Sequence, residues 1–189
     1  MTALQTYISS YFGITNDDLI KVEKLFKPAT LEKGEYFTKI GQYCDKLSFV
    51  ESGYVRIFAD SADKEVTQWI SSQGYFLTDL SSFIFQQPAK RNMQALTDCR
   101  LYTIRKEDYK HLIELVPNWP EMEKKFIAGC FVYLEDRIFS HLSLSAEERY
   151  DKLFSENKEL FNQVPLQYIA SMLGMSPETF SRIRAKRIS

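Results

Sequence analysis

Between Val164 and Arg187 the chain reads Val-Pro-Leu-Gln-Tyr-Ile-Ala-Ser-Met-Leu-Gly-Met-Ser-Pro-Glu-Thr-Phe-Ser-Arg-Ile-Arg-Ala-Lys-Arg, and few folds satisfy that order. Ile169 and Leu173 supply the inward side of a first short helix, and Ala170 is small where a second helix must cross closely. Gly174 ends the first helix, because glycine takes the left-handed conformation that a sharp turn requires. Met175 plugs the core at the turn and Ser176 caps the next helix. Pro177 takes its first position, Glu178 its first turn, and Phe180 and Ile183 face inward. Two helices crossing about such a turn form a helix-turn-helix.

The outer side of the second helix presents Ser176, Pro177, Glu178, Ser181, Arg182 and Lys186, with the first of these at the end that enters a DNA major groove. Arg182 could bond bidentately to guanine O6 and N7. Glu178 could accept from cytosine N4 or orient Arg182 one turn away; a good bidentate contact contributes about 1–3 kcal/mol of discrimination. Thr179, Arg184, Lys186 and Arg187 are placed for phosphates, and Gln167 on the first helix is a further candidate contact. The net charge of −1 does not oppose this, because residues 180–189 hold Arg182, Arg184, Lys186 and Arg187 and no acid. The alternative is a structural helical hairpin with an i,i+4 Glu–Arg pair and a solvated basic end.

Upstream, Ser145 caps a helix with Glu147 and Glu148 in its first turn, carrying Tyr150, Leu153 and Phe154, and begins the second domain. The N-terminal part has another texture. Ile14-Thr15-Asn16-Asp17-Asp18 supplies a cap and first-turn acids for one opening helix through Leu19, Val22, Leu25 and Phe26, which Pro28 stops. From Ala29 to Ile104 short apolar or alternating runs predict strands around Tyr36-Phe37, Leu47–Val50, Tyr54–Phe58, Val66–Ile70, Met93–Leu96 and Leu101–Ile104. Gly34, Gly41, Gly53 and Gly74 punctuate them, and Asp60–Lys64 reads as a hairpin loop. Many short antiparallel strands favour a closed roll or sandwich. A short helical piece near Leu80–Phe83 interrupts the sheet, where it could line a pocket.

Beyond Ile104 the period becomes helical. Tyr109, Leu112, Ile113 and Val116 fit one helix face, and Pro117 and Pro120 mark a break. A long helix then runs from Glu121 to about His141. Met122, Phe126, Cys130, Tyr133, Leu134 and Ile138 follow spacings of three and four, and Ile127, Phe131, Val132 and Phe139 widen the apolar surface. The roll could bury one side and a second copy of the helix the other, making a parallel homodimer the economical reading; a core helix in a monomer is the alternative.

With 44% hydrophobic and 26% charged residues the chain has ample surface to bury and no signature of disorder. The N-terminus lacks a basic region followed by an apolar run, and no stretch approaches the roughly 18 apolar residues of a membrane span, so a cytoplasmic location with no membrane partner is expected. Cys44, Cys99 and Cys130 are scattered and odd in number, without metal-ligand spacing, and read as small buried hydrophobes. No cofactor is expected. No Ser/His/Asp or Cys/His grouping, metal motif or phosphate loop argues for an enzyme.

The glycine series in the roll, the Gly74-Tyr-Phe-Leu-Thr-Asp-Leu80 stretch, the long helix and Ser176-Pro-Glu-Thr-Phe-Ser-Arg182 together resemble the Crp/Fnr family of regulators, typified by the catabolite activator protein. The resemblance covers nearly the whole chain. It implies an α+β fold with a cyclic-nucleotide-binding-like β-roll (a jelly roll) at 1–116, a dimerisation helix at 117–142 and a helix-turn-helix DNA-binding domain at 143–189. That last domain is winged-helix-like with a truncated wing, since the chain stops at Ser189 where family members continue into a β-hairpin. Glu178 and Arg182 match the family's base-reading Glu and Arg.

The pocket departs from the family. Thr78-Asp79-Leu80 stands where Gly-Glu-Leu would be, and Pro88-Ala89-Lys90-Arg91 where Arg-Ser should hold the cyclic phosphate. Thr78, Asp79, Leu80, Ala89, Lys90 and Arg91 are the candidate effector-pocket residues, with Lys90 or Arg91 either meeting an anion or forming a solvated pair on a strand end. A cyclic-nucleotide-like fold without cAMP binding is expected. Three scattered cysteines exclude an iron–sulfur cluster, and His111 and His141 are read as helix-surface residues rather than haem ligands. The expected function is a homodimeric transcription regulator with double-stranded DNA and RNA polymerase as partners and an unidentified small-molecule effector. The alternative is a ligand-binding or protein-docking module whose degenerate DNA domain no longer reads sequence.

Overall fold

The computed structural model describes residues 1–14 and 16–188; Thr15, within the stretch expected to cap the opening helix, and the terminal Ser189 lie outside the described residues. Two antiparallel four-stranded sheets make the roll. One has the order β1 (Lys27–Leu31), β8 (Cys99–Arg105), β3 (Lys46–Ser52), β6 (Phe76–Leu77); the other β2 (Tyr36–Thr38), β7 (Asn92–Ala95), β4 (Val55–Ser61), β5 (Lys64–Ser71). Their facing sides share one core, with Leu31, Phe37, Val50, Val55, Leu77, Met93 and Leu101 interdigitating between them.

The outer face of each sheet is covered by helices, so strands of the roll are buried on both sides. On the first sheet Leu47, Phe49 and Ile104 pack under α1 (Ala3–Phe12), α2 (Asn16–Glu23) and α6 (Trp119–Ser143). There Phe12 stacks on Trp119 at 4.7 Å and Phe49 meets Tyr11 at 5.8 Å and Phe26 at 5.5 Å. Burying each such ring contributes roughly 1.5–3 kcal/mol. On the second sheet Ile70 joins a core that otherwise belongs to the C-terminal helices.

The expected strands and the short helix α3 (Leu80–Phe85) are present, and the four roll glycines all have positive φ. Gly53 is the tightest, since a Cβ there would lie 2.5 Å from the Asp98 carbonyl oxygen. Four features differ from the sequence reading. Two helices open the chain, because Thr2 and Gln5 form a capping box for α1, Leu4, Ile8 and Phe12 share its buried face, and Gly13 ends it at φ +68°. Pro28 lies within β1, which is an edge strand and so can omit one ladder hydrogen bond. The helix expected over Tyr109–Val116 divides into α4 (Lys106–Tyr109) and α5 (Leu112–Leu115). The long helix starts at Trp119, with Pro120 in its first turn, where backbone N–H groups lack intrahelical partners anyway.

The C-terminal unit follows directly: α7 (Ala146–Glu156), α8 (Leu160–Gln163), α9 (Leu166–Met172) and α10 (Pro177–Ile188). Ser145 and Glu148 form the capping box of α7. Tyr150, Phe161 and Phe180 meet ring to ring at 5.2–6.0 Å in the middle of the unit.

Candidate nucleic-acid interface

Helices α9 and α10 cross around Gly174, whose φ of +68° is left-handed while a Cβ there would touch only the His141 ring at 3.7 Å; conformation, not space, demands glycine. The Met175 amide donates to the Ala170 carbonyl at 3.0 Å and closes the turn. Ala170 and Ile169 are fully buried, and Phe180 and Ile183 seal the inner face of α10. The Ser176 hydroxyl accepts from the Thr179 amide at 3.2 Å and caps α10.

The outer face of α10 carries Ser176, Pro177, Glu178, Ser181 and Arg182, all exposed, with Gln167 exposed on α9 and Thr179 half-buried. Among the described residues Arg182 has no ion pair, and it lines a cleft with Ser145, Glu147 and Thr179. The Ser176 hydroxyl, then the local backbone N–H, hold the Glu178 carboxyl below its usual range. The basic tail is arranged differently. Lys186 Nζ reaches Glu147 at 2.8 Å, and Arg187 Nε donates to Asp151 at 2.9 Å, so both cations are drawn back onto α7. Arg184 is half-buried beside Tyr150.

The unit docks on β5. The Thr67 amide donates to Ser171 Oγ at 2.9 Å, and Arg56, only 2% exposed, lies between the rings of Phe58 and Tyr168 at 4.0 and 3.8 Å. Its guanidinium donates to Glu65 at 2.6 Å and Thr67 at 2.9 Å, satisfying a buried charge that would otherwise cost several kcal/mol. A cleft of about 680 Å³ opens between the β4–β5 hairpin and Gln167, Ser176 and Pro177. Sequence reasoning missed Arg56 and Tyr168, since nothing local ties a strand arginine to a ring 112 residues later.

In the roll, the six candidate pocket residues are neighbours, but their polar groups turn inward on the chain. Asp79, 6% exposed, accepts from the Ser82 amide at 2.9 Å and from the Lys90 amide at 3.2 Å, so it caps α3 and ties it to the strand beyond. The Thr78 hydroxyl donates to the Lys46 carbonyl. Buried Ala89 exchanges backbone hydrogen bonds with Gly41 and Gln42. Arg91 donates to Gln68 Oε1 at 2.9 Å and to the Lys90 carbonyl at 2.8 Å, while Leu80 and Lys90 face solvent. The Asp79 carboxylate and the Arg91 guanidinium thus each have partners within the chain.

Helix α6 has two unlike faces. Trp119, Met122, Phe126, Cys130, Tyr133, Arg137 and His141 follow the three–four spacing toward the chain's own roll and C-terminal unit. Phe131, Ile138, Phe139 and Leu142 lie on the other side, 60, 52, 69 and 81% exposed. His111 is a surface residue 3.2 Å from Glu114, as expected; His141 is not, since its half-buried ring places Nδ1 3.0 Å from the Arg137 carbonyl and Nε2 3.3 Å from the Met172 carbonyl. Cys44 and Cys99 are buried and Cys130 half-buried, none in a disulfide. Among the described residues no His, Cys, Asp and Glu cluster could hold a metal, and no helix is long and apolar enough to cross a membrane.

Residues 28–115 match the family model of the cyclic nucleotide-binding domain. The comparison with curated proteins found no match. Solved structures share the fold across most of the chain. FixK2 from Bradyrhizobium japonicum superposes with a TM-score of 0.72 at 16% identity, covering 85% of this chain and 83% of that one. The c-di-GMP responsive global regulator CLP from Xanthomonas campestris gives 0.63 at 18%, covering 89% of each chain. The Thermus thermophilus catabolite activator protein gives 0.58 at 21%, covering 92% of this chain and 84% of that one. At these identities the likeness establishes a shared architecture, a cyclic nucleotide-binding-type roll continued by a long helix.

Proposed function

We propose that this chain is a homodimeric, sequence-specific DNA-binding transcription regulator that answers to a small effector other than cAMP. The carrying observation is the division of α10, whose inner side is sealed by Phe180 and Ile183 while Glu178, Ser181 and Arg182, the last without an ion pair among the described residues, stand exposed on the other. Arg182 reads a base, Glu178 and Ser181 assist it, Ser176 and Pro177 form the end entering the groove, and Gln167, Thr179 and Arg184 reach phosphates. Lys186 and Arg187 join them once released from Glu147 and Asp151. The sensor spans 1–116, the dimer forms through 117–142, and 143–189 binds DNA. The bare face of α6 supports the dimer, because an apolar stripe of that length on a soluble helix calls for a partner. RNA polymerase is the downstream partner and the cytoplasm the location; the regulators that share the fold support a non-enzymatic role.

Use of the Asp79 carboxylate as a helix cap supports a roll that does not take cAMP. One observation favours the other reading, a binding or docking module: two of the four terminal cations are already paired with acids. Selection from a random duplex pool decides. The regulator recovers an inverted repeat with half-sites about 34 Å apart. Arg182→Ala weakens its binding by roughly 5- to 150-fold, and added cAMP changes nothing. No enrichment by the folded wild-type protein would overturn the DNA-binding reading in favour of the module.

A further inference from the structure

Below α9, where β5, α6 and α7 converge, lies a second and smaller cleft of about 170 Å³. Its walls include the rings of Trp69 and Tyr133, which meet edge to face at 5.8 Å. Its polar rim holds Arg137, Arg149 and Lys152. Asp136 and Glu156 also border it, but among the described residues no carboxylate lies within ion-pair distance of any of these three cations.

The two arginines hold the joint of the molecule. Arg137, over the Trp69 ring at 4.9 Å, donates through Nη2 to the Gln68 carbonyl of the roll and, at 3.4 Å, to the Met172 carbonyl of α9. Arg149 donates through Nε to the Leu173 carbonyl at 3.0 Å and through Nη1 to the Leu144 carbonyl at 2.8 Å. Among the described residues the other guanidinium N–H groups, Arg137 Nε and Nη1 and Arg149 Nη2, have no hydrogen bond. Among the described residues the Lys152 ammonium holds only the Ser140 hydroxyl, at 3.1 Å. Three cations against two carboxylates leave a net positive charge around an aromatic-walled space, which favours an anion. The space is smaller than the roughly 300–1,000 Å³ of sites for drug-sized ligands, so the anion has a small body.

We propose that this joint cleft, not the roll pocket, is the effector site, and that it takes a small aromatic monocarboxylate whose carboxylate lies among Arg137, Arg149 and Lys152 and whose ring lies against Trp69 and Tyr133. Its regulatory half rests on the DNA-binding reading, since an anion shared by Arg137 on α6 and Arg149 on α7 fixes how the helix-turn-helix sits on the long helix. Binding itself does not depend on that reading.

Trp69 reports on its own ligand. In Trp119→Phe protein, titration with benzoate changes Trp69 fluorescence saturably, the neutral isostere benzamide binds at least tenfold more weakly, and Lys152→Gln weakens benzoate at least fivefold without changing the thermal midpoint of the free protein. Phenylacetate and salicylate serve as alternative probes of the same class. A folded protein that gives no saturable response to any of the three acids, or responds equally to benzamide, overturns the site. Benzoate also shifts the affinity for the selected duplex at least threefold; binding without that shift overturns the effector role. Saturable, Lys152-dependent binding in a protein that selects no duplex upholds the cleft as a ligand site and sinks the DNA reading alone.

Discussion

The segment from Thr78 to Arg91 gathers charged residues on either side of the short helix α3, and α10 carries them on its outer face, yet the two use them in opposite ways. Asp79 has both carboxylate oxygens taken by backbone amides, and Arg91 is tied to Gln68 and to a carbonyl. On α10, Arg182 is exposed and unpaired among the described residues, and its helix is capped by Ser176 instead. A polar group that completes its own backbone has a structural role whatever family position it occupies, because breaking those bonds leaves buried donors unsatisfied. A charge left in solvent on a helix whose other side is sealed contributes little to folding and is free to meet a partner.

That contrast breaks most severely where α10 is held. Phe180→Ala opens the ring cluster with Tyr150 and Phe161 and costs about 3–5 kcal/mol in urea unfolding. The roll keeps its own core, so Trp119 fluorescence retains a separate, unshifted transition; one common transition shifted as a whole would mean that the docking on β5 joins the two units into one cooperative body. The roll side responds less. Asp79→Ala removes the cap of α3 and the tie to Lys90 and lowers stability by about 1 kcal/mol. Asp79→Asn, which retains one acceptor for the Ser82 amide, loses less. Thermal melts of all three proteins are the same with and without cAMP. A midpoint raised by cAMP in the wild type and not in Asp79→Ala would return Asp79 to a ligand role.

Much of this contrast was legible in the sequence, and the rest was not for identifiable reasons. The turn at Gly174, the cap at Ser176 and the inward pair Phe180 and Ile183 are local, and each obeys a rule about backbone or helix period that reads directly from spacing. The departure at Thr78-Asp79-Leu80 and the local cap from Asp79 to the Ser82 amide can also be read, but not the tie of Asp79 to Lys90, which returns beside it eleven residues later. Pro28 was read as a helix stop because a proline says nothing of whether its strand lies at a sheet edge. The opening helix α1 carries its signal openly in Thr2, Gln5 and Gly13, which are local and legible from spacing. Arg137, Arg149 and His141 look like surface residues by polarity, and only the docking of α9 turns them into its anchors.

The smallest expected effect bears on whether the basic tail belongs with the reading face. Lys186 beside Glu147 and Arg187 beside Asp151 hold both carboxyls below their ordinary values. Folded-state values below the unfolded ones mean that the stabilisation is present at neutral pH and fades as the pH falls below about 4, through the depressed values. All four groups are solvent-exposed and screened by salt, so the slope in stability is slight, and Glu147→Gln with Asp151→Asn flattens it. The informative readout is DNA binding. If Lys186 and Arg187 exchange these acids for phosphates, the double variant loses a competitor and its affinity rises, while the slope of log K against log salt stays that of the wild type, near 0.9 per phosphate contacted. If the two cations never leave α7, affinity and slope both match the wild type, and the phosphate contacts of this unit reduce to Gln167, Thr179 and Arg184.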